Sequence, residues 1–317
     1  MKTIFFALTF LAGSLVSYAQ GSSSRYRSVD EKVAQFGNLA SSNIATIADT
    51  ITAPFSDHQE KARAIFYWIA NNIAIDPKAS KQNDSKNTLP EKVVELRKAT
   101  ALGYSLLVQE MCSDVNIRCI SVDGYKKSNP EDINQPADEI NHSWNVVQLG
   151  QSPETWYFVD ACSASGYLDK KMTVFTKQFT SEYFFADKKL FGLTFYPDNS
   201  AWQLGGGPKN LKEFYALPVI CNSAFALGLS KPSPAAGYIK ANLKTAVSFS
   251  FRVNEPVKSI SVIIGDEKKQ PKPEEMNFDD NGGLISFTYK FKKEDTAPMK
   301  ILADGKVILE YMAEVNE

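Results

Sequence analysis

The chain has 317 residues, 44% hydrophobic and 22% charged, with 35 basic against 36 acidic residues and a formal net charge of −1. So even a balance gives no overall field for nucleic acid or an anionic membrane. The length exceeds what one hydrophobic core usually organises, so two domains are expected.

Residues 1–19 have the layout of a secretory signal peptide. Lys2 is the only charge, an apolar run extends from Ile4 to Val16, and Ser17-Tyr18-Ala19 sets small residues at both cleavage-determining positions. The run is too short for a membrane span, and nothing later approaches about 18 uninterrupted apolar residues. The expectation is export without a membrane span, to the periplasm or the exterior. Residues 20–30 are small and polar at the start and read as a flexible lead-in.

Helical periodicity appears in Lys61 to Asn72, where Ala62, Ile65, Phe66, Ile69 and Ala70 recur at three- and four-residue intervals, with Ser56 and Asp57 placed to cap the start. Pro77 to Pro90 is polar and reads as a surface loop. A second helix is expected from Ala101 to Val115. The pattern then switches to strands, at Arg118 to Tyr125, Ser143 to Leu149 and Thr155 to Asp160. The last two read as a hairpin turning at Gly150-Gln151-Ser152-Pro153. Helices first and an antiparallel sheet after is an α+β order.

Lys231 to Gly237 reads as a linker. Beyond it, Val247, Phe249, Phe251 and Val253 alternate with polar neighbours, as do Ile285, Phe287, Tyr289 and Phe291, and Val307, Leu309 and Tyr311. Asp304-Gly305 supplies a tight turn between the last strands. Short alternating strands at this density indicate a small β-sandwich of immunoglobulin-like architecture over 238–317. Of the cysteines, Cys112 and Cys119 flank a helix-to-strand turn and could pair, but all four, with Cys162 and Cys221, sit in apolar stretches and read as buried thiols. Two histidines and no CxxC or HxxxH spacing leave no zinc ligand set, so neither metal nor cofactor is expected.

The segment Arg97-Lys98-Ala99-Thr100-Ala101-Leu102-Gly103-Tyr104 resembles the Arg-x-Gly-Val-Cys-x-Gly-Tyr signature of transglutaminase-like cysteine enzymes, which have a papain-like fold. Tyr67 to Ile73 resembles the helix preceding their catalytic region, and Val122-Asp123-Gly124-Tyr125 the strand-turn after the nucleophile helix. Thr194 to Leu204 is similar to the Thr-His-Phe-Pro-x-x-x-x-Trp-Gln-Leu segment of the kyphoscoliosis-peptidase and cytokinesis-protein-like branch, in which an all-β region commonly follows. The resemblance covers residues 31–230 and implies that His142 and Asp160 are the family's histidine and aspartate, with Ala101 where the cysteine nucleophile belongs. Ala99, Thr100, Cys162, Ser163 and Phe195 are further departures, all near the implied pocket, and Gly103, Tyr104, Trp144, Cys162 and Trp202 are candidate groove or support residues.

His142 and Asp160 lie nine residues either side of Gln151, so a hairpin centred there sets them directly opposite. An aspartate so placed accepts the imidazole proton and fixes the ring. The pair reads equally as a structural hydrogen bond within the hairpin. Trp144 and Trp156 resemble a carbohydrate-stacking surface but read better as core. An alanine cannot form the covalent intermediate, which closes the thiol route at position 101. Cys162, two residues beyond Asp160 on the same strand face, is the substitute nucleophile to consider. The leading expectation is an exported, catalytically inactive protein that binds peptide or protein chains in the old groove, with a cell-envelope component as partner. Against it stand an enzyme acting on envelope peptides through Cys162, and a structural interaction module.

Overall fold

The structure is a computed structural model that describes residues 25–317 except 42, 83, 85, 153, 154 and 266–270. The expected leader lies outside the described residues, as does Pro153 of the expected turn. Among the described residues no helix is long and apolar enough to cross a membrane.

The N-terminal half opens with α1 (Arg27–Ala34), α2 (Ile44–Thr52) and α3 (His58–Asn72). Asp57 starts α3 by accepting from the Gln59 and Glu60 amides, as its position implies. The lead-in is ordered from Arg27 onward, contrary to its polar composition. The cause is Arg63, fully buried on α3, which donates to both Asp30 carboxylate oxygens (2.8 and 2.7 Å) and to Ser181 Oγ (2.8 Å). The rings of Tyr26, Phe66, Phe179 and Phe184 surround its guanidinium at 4.9–5.8 Å. One cation thereby ties α1, α3 and the 179–184 segment together.

The expected surface loop after α3 is more structured than its polarity suggests. Strand β1 (Ala74–Ile75) leads into a short helix, α4 (Pro77–Lys81), which Asp76 caps and Pro77 initiates. Helix α5 (Pro90–Leu96) follows, and β2 (Lys98–Ala99) pairs in parallel with β1 before α6 (Ala101–Asp114) begins.

Next come β3 (Arg118–Lys126), β4 (His142–Gln148) and β5 (Trp156–Val159). The segment 122–125, expected to end in a turn, stays extended within β3. After β5 lie α7 (Ala161–Ser165), the hairpin β6 (Gly166–Leu168) and β7 (Phe175–Lys177), then α8 (Lys188–Thr194) and β8 (Phe195–Pro197). One antiparallel sheet in the order β5-β4-β3-β8 results, with α6 packed across β3 and β4. Gly124 permits this sheet: a Cβ there would meet the Tyr196 carbonyl and lie 2.6 Å from Trp144 Cη2.

The remainder is an all-β region entered through α9 (Leu211–Ala216), β9 (Val219–Ile220) and α10 (Asn222–Ala226). Its strands are β10 (Ser230–Ser233), β11 (Tyr238–Asn242), β12 (Val247–Arg252), β13 (Ile260–Ile264), β14 (Glu274–Met276), β15 (Asp279–Asp280), β16 (Leu284–Tyr289), β17 (Asp295–Ala303) and β18 (Lys306–Asn316). One sheet runs β10-β12-β16-β15, the other β11-β18-β17-β13-β14 with β9 also on β18. Phe249 stacks on Phe287 within the first sheet and meets Tyr311 of the second edge-on at 5.7 Å, so the two sheets share a core. The first three residues of the segment read as a linker, 231–233, belong to β10 and so to a sheet, and β9 joins the other sheet from upstream.

Candidate active site

His142 opens β4 opposite Gly124 of β3. Its Nε2 donates to Asp160 Oδ2 at 2.8 Å, and both residues are buried. The register differs from the expected one. Asn145 faces Val159 and Gln148 faces Trp156, so the hairpin is centred on residue 152 and His142 is not directly opposite Asp160. The two residues meet nonetheless, because a two-position displacement keeps the same side chains on the same face. Strand β5 ends at Val159, and Asp160 turns into α7, whose start it caps by accepting from the Ser163 amide at 2.8 Å. One carboxylate therefore closes the helix with Oδ1 and orients the imidazole with Oδ2.

Burial pushes the Asp160 carboxyl upward, but the nearby His142, Lys126 and the Ser163 side chain more than offset this and hold it below the usual carboxylate range. An ionised carboxylate only accepts, so the proton lies on Nε2 and Nδ1 is the nitrogen left for a proton-transfer partner.

Helix α6 is fastened to the sheet at several heights. Asn145 Nδ2 donates to the Ser105 carbonyl (2.9 Å), Ser105 Oγ meets Ser121 Oγ (2.7 Å), and the Cys112 and Cys119 thiols meet further along. Cys119 itself faces Val147, two residues past Asn145. The helix thus runs in the same direction as β4, and its first turn lies at the His142 end. Ala101 is its first residue and half-buried; Thr100 precedes it in extended conformation without a side-chain cap. A strand-to-helix turn of this kind points backbone N–H groups and the positive end of the helix dipole at the site. A thiol there would be activated. The methyl group is not.

The other candidates divide clearly. Gly103 is a packing requirement: a Cβ would come 2.9 Å from Ala99 Cβ and 3.0 Å from Val93 Cγ2. Tyr104 is buried, its hydroxyl donating to the Ile73 carbonyl and lying 3.2 Å from Ser165 Oγ; burial, then the proximity of Cys162 and Asp160, pushes its pKa well up. Trp144 is buried against Phe191 and Phe195. Trp202 meets Trp156 edge-on at 5.3 Å and anchors the segment returning across the sheet. Trp144 and Trp156 therefore form no open stacking surface.

Cys162 is not on a strand face. It sits buried in α7, and burial followed by repulsion from Asp160 drives its thiol far above the ordinary range. A thiolate is disfavoured there, which argues against its use as a nucleophile. All four cysteines are free thiols.

Lys126 has no counterpart among the residues singled out from sequence. It reaches from the end of β3 to donate to Ser163 Oγ (3.0 Å), and its ammonium lies 5.3 Å from the Phe195 ring centre. Phe195 in turn stacks on the His142 ring at 5.3 Å. Two of the departures noted in sequence, Ser163 and Phe195, are thus the contacts of this lysine, and together they line Asp160 and His142. Among the described residues no group of three His, Cys, Asp or Glu side chains could hold a metal.

A family model described as Transglutaminase-like superfamily matches residues 45–161, a span that includes Ala101, His142 and Asp160. Kyphoscoliosis peptidase of Mus musculus is 31% identical over 169 residues, 53% of this chain and 25% of the mouse protein. The protein of the same name from Homo sapiens is 32% identical over 156 residues, 49% of this chain and 23% of the human one. The chain thus spans about a quarter of the length of these curated relatives. A solved structure titled "Crystal structure of a TGase" aligns over 54% of this chain and 38% of its own, at 15% identity and a TM-score of 0.29. The chain carries a transglutaminase-like domain with kyphoscoliosis-peptidase-like relatives, followed by an all-β region.

Proposed function

We propose that this protein is an exported, non-catalytic member of the transglutaminase-like group that binds peptide or protein chains at the relict site, with the all-β region as a second contact surface. The observation that carries the reading is Ala101 at the head of α6, at the same end of the sheet as a hydrogen-bonded His142–Asp160 pair. Base and orienter are retained while the atom that would attack a carbonyl is absent. Binding and bond cleavage use different groups, so loss of the second leaves the first intact. The alternative, thiol chemistry through Cys162, is disfavoured by the burial of that sulfur.

The experiment is Ala101→Cys with the wild type beside it. Burial raises the thiols of Cys119, Cys162 and Cys221, so a new thiol at position 101 stands out against a slow background. The expected result is alkylation of the introduced thiol at pH 6 about a hundredfold faster than an unperturbed cysteine with a pKa of about 8.5 would allow. The wild type is expected to give no peptidase or transamidase turnover. Wild-type turnover abolished by Cys162→Ser would refute the proposal, as would an ordinary, alkaline reactivity of the sulfur placed at position 101.

A further inference from the structure

Among the described residues, the β6–β7 hairpin gathers the largest group of exposed large apolar side chains. Tyr167, Met172 and Val174 are 46, 36 and 58% exposed; the other large apolar residues of comparable exposure among those described, Leu89 and Leu96, lie at opposite ends of α5. Pairing of Leu168 with Phe175 and of Tyr167 with Thr176 sets the faces. Leu168 and Phe175 turn toward the core, and Tyr167 and Val174 fall on the opposite side.

The tip between the strands is built to keep its polar groups to itself. Asp169 accepts from the Thr173 amide (2.6 Å), the Val174 amide (2.7 Å) and the Thr173 hydroxyl (2.9 Å). Its own amide donates to the Val174 carbonyl at 3.0 Å, and the Met172 amide donates to the Asp169 carbonyl at 2.7 Å. The single acid of residues 166–177 is half-exposed but engaged by donors of the turn, whereas Lys170 and Lys171 stand exposed beside Met172. Met172 holds a left-handed backbone, φ 53°, a conformation that favours glycine or asparagine, yet an apolar side chain occupies it. The hairpin is also held at its base, where Lys177 Nζ donates to the Asn71 carbonyl at 2.7 Å.

We infer that this hairpin is a peripheral membrane-contact tip, which seats Met172, Val174 and Tyr167 among the acyl-chain boundary of an anionic lipid surface while Lys170 and Lys171 meet the headgroups. Three features favour lipid over a protein partner. The apolar residues stand on a convex tip, which a fluid bilayer accommodates without a matching pocket. The amides of residues 169, 172, 173 and 174 already have partners within the hairpin, and a low-dielectric medium penalises any that do not. The outward charge is cationic and complements anionic headgroups. The near-zero charge of the whole chain is no obstacle, because this attraction is local and acts within about one Debye length. The site is separate from the His142–Asp160 pair and stands whether or not that pair binds a ligand.

The test reads contact at the tip itself, so that the apolar N-terminal run cannot imitate it. Val174→Trp in the full chain is mixed with brominated vesicles, either phosphatidylcholine alone or equal parts phosphatidylcholine and phosphatidylglycerol, and the added emission relative to wild type is followed. Quenching is expected on the anionic vesicles. Lys170→Gln with Lys171→Gln should weaken the apparent partitioning of this tryptophan about thirtyfold, the change that two lysines at about 1 kcal/mol each amount to. Unquenched emission on anionic vesicles, or quenching indifferent to lipid charge and to the two lysines, overturns the inference. So does a lipid-free self-association abolished by Met172→Ser, which would assign the tip to a second copy of the chain.

Discussion

Truncating Asp160 should separate the two tasks of its carboxylate. In Asp160→Ala the cap of α7 is lost, which costs about 1 kcal/mol. The His142 Nε2 donor is left buried without its 2.8 Å partner, at about 1–3 kcal/mol more. The sum is about 2–4 kcal/mol. Asp160→Asn keeps a good capping oxygen for the Ser163 amide, and its amide group can donate to Nε2 once the imidazole proton moves to Nδ1, so about 1 kcal/mol is expected. All four tryptophans, Trp68, Trp144, Trp156 and Trp202, lie upstream of the all-β region, so their emission in urea follows the relevant half of the molecule. The acid arm adds a sign. The folded carboxyl titrates below the ordinary 3.8, so its stabilisation is present above that pH and fades as pH falls through the folded value. The wild-type advantage over Asp160→Asn should therefore shrink below about pH 4. An Asp160→Ala protein within about 0.5 kcal/mol of wild type would refute this account, as would an Asn variant as damaged as the Ala one.

Other outcomes follow from the same geometry. Lys127 is buried, donates to the Phe214 and Leu217 carbonyls, and burial lowers its pKa to about 7. The unfolded chain then binds the extra proton between that value and the ordinary lysine range. The stability of wild type relative to Lys127→Met should rise by about 1.4 kcal/mol per pH unit from about pH 7.5 to 9.5, and a flat difference in chemical denaturation across that range would count against it. Arg63→Ala removes a buried cation from Asp30, Ser181 and four rings and should cost about 3–5 kcal/mol by urea titration, with α1 the first element to lose hydrogen-exchange protection. Gly124→Ala should lower the melting temperature by several degrees, because Trp144 and the backbone of β8 must both move to admit the methyl group.

Local signals carried far along this chain. Asp57 caps α3 where the residue type and the apolar period place it, and the strands at 118–126, 142–148 and 156–159 follow the alternation of their side chains. The segments that escaped local reading are held by partners distant in sequence. Residues 27–30 are helical because Arg63 is waiting 33 residues away for Asp30, and β10 forms because β12 lies beside it, although its composition reads as a linker. Polarity described those stretches correctly and their structure incorrectly, since hydrogen-bond partners supplied by the fold outweigh intrinsic preference.

At the site the division is similar. That residue 101 carries a methyl group where the family resemblance places a sulfur is legible in the sequence alone, and so is the spacing of His142 and Asp160 about a hairpin turn. Side-chain parity, which survives a two-residue change of register, was enough to bring His142 and Asp160 together. Only the folded molecule decided that β5 stops at Val159 so that Asp160 caps α7, that Cys162 is buried in that helix, and that Lys126 arrives from β3 to bond Ser163 over the Phe195 ring. Those outcomes depend on where one strand stops and another's side chain reaches, distances set by packing across the sheet and invisible to spacing along the chain.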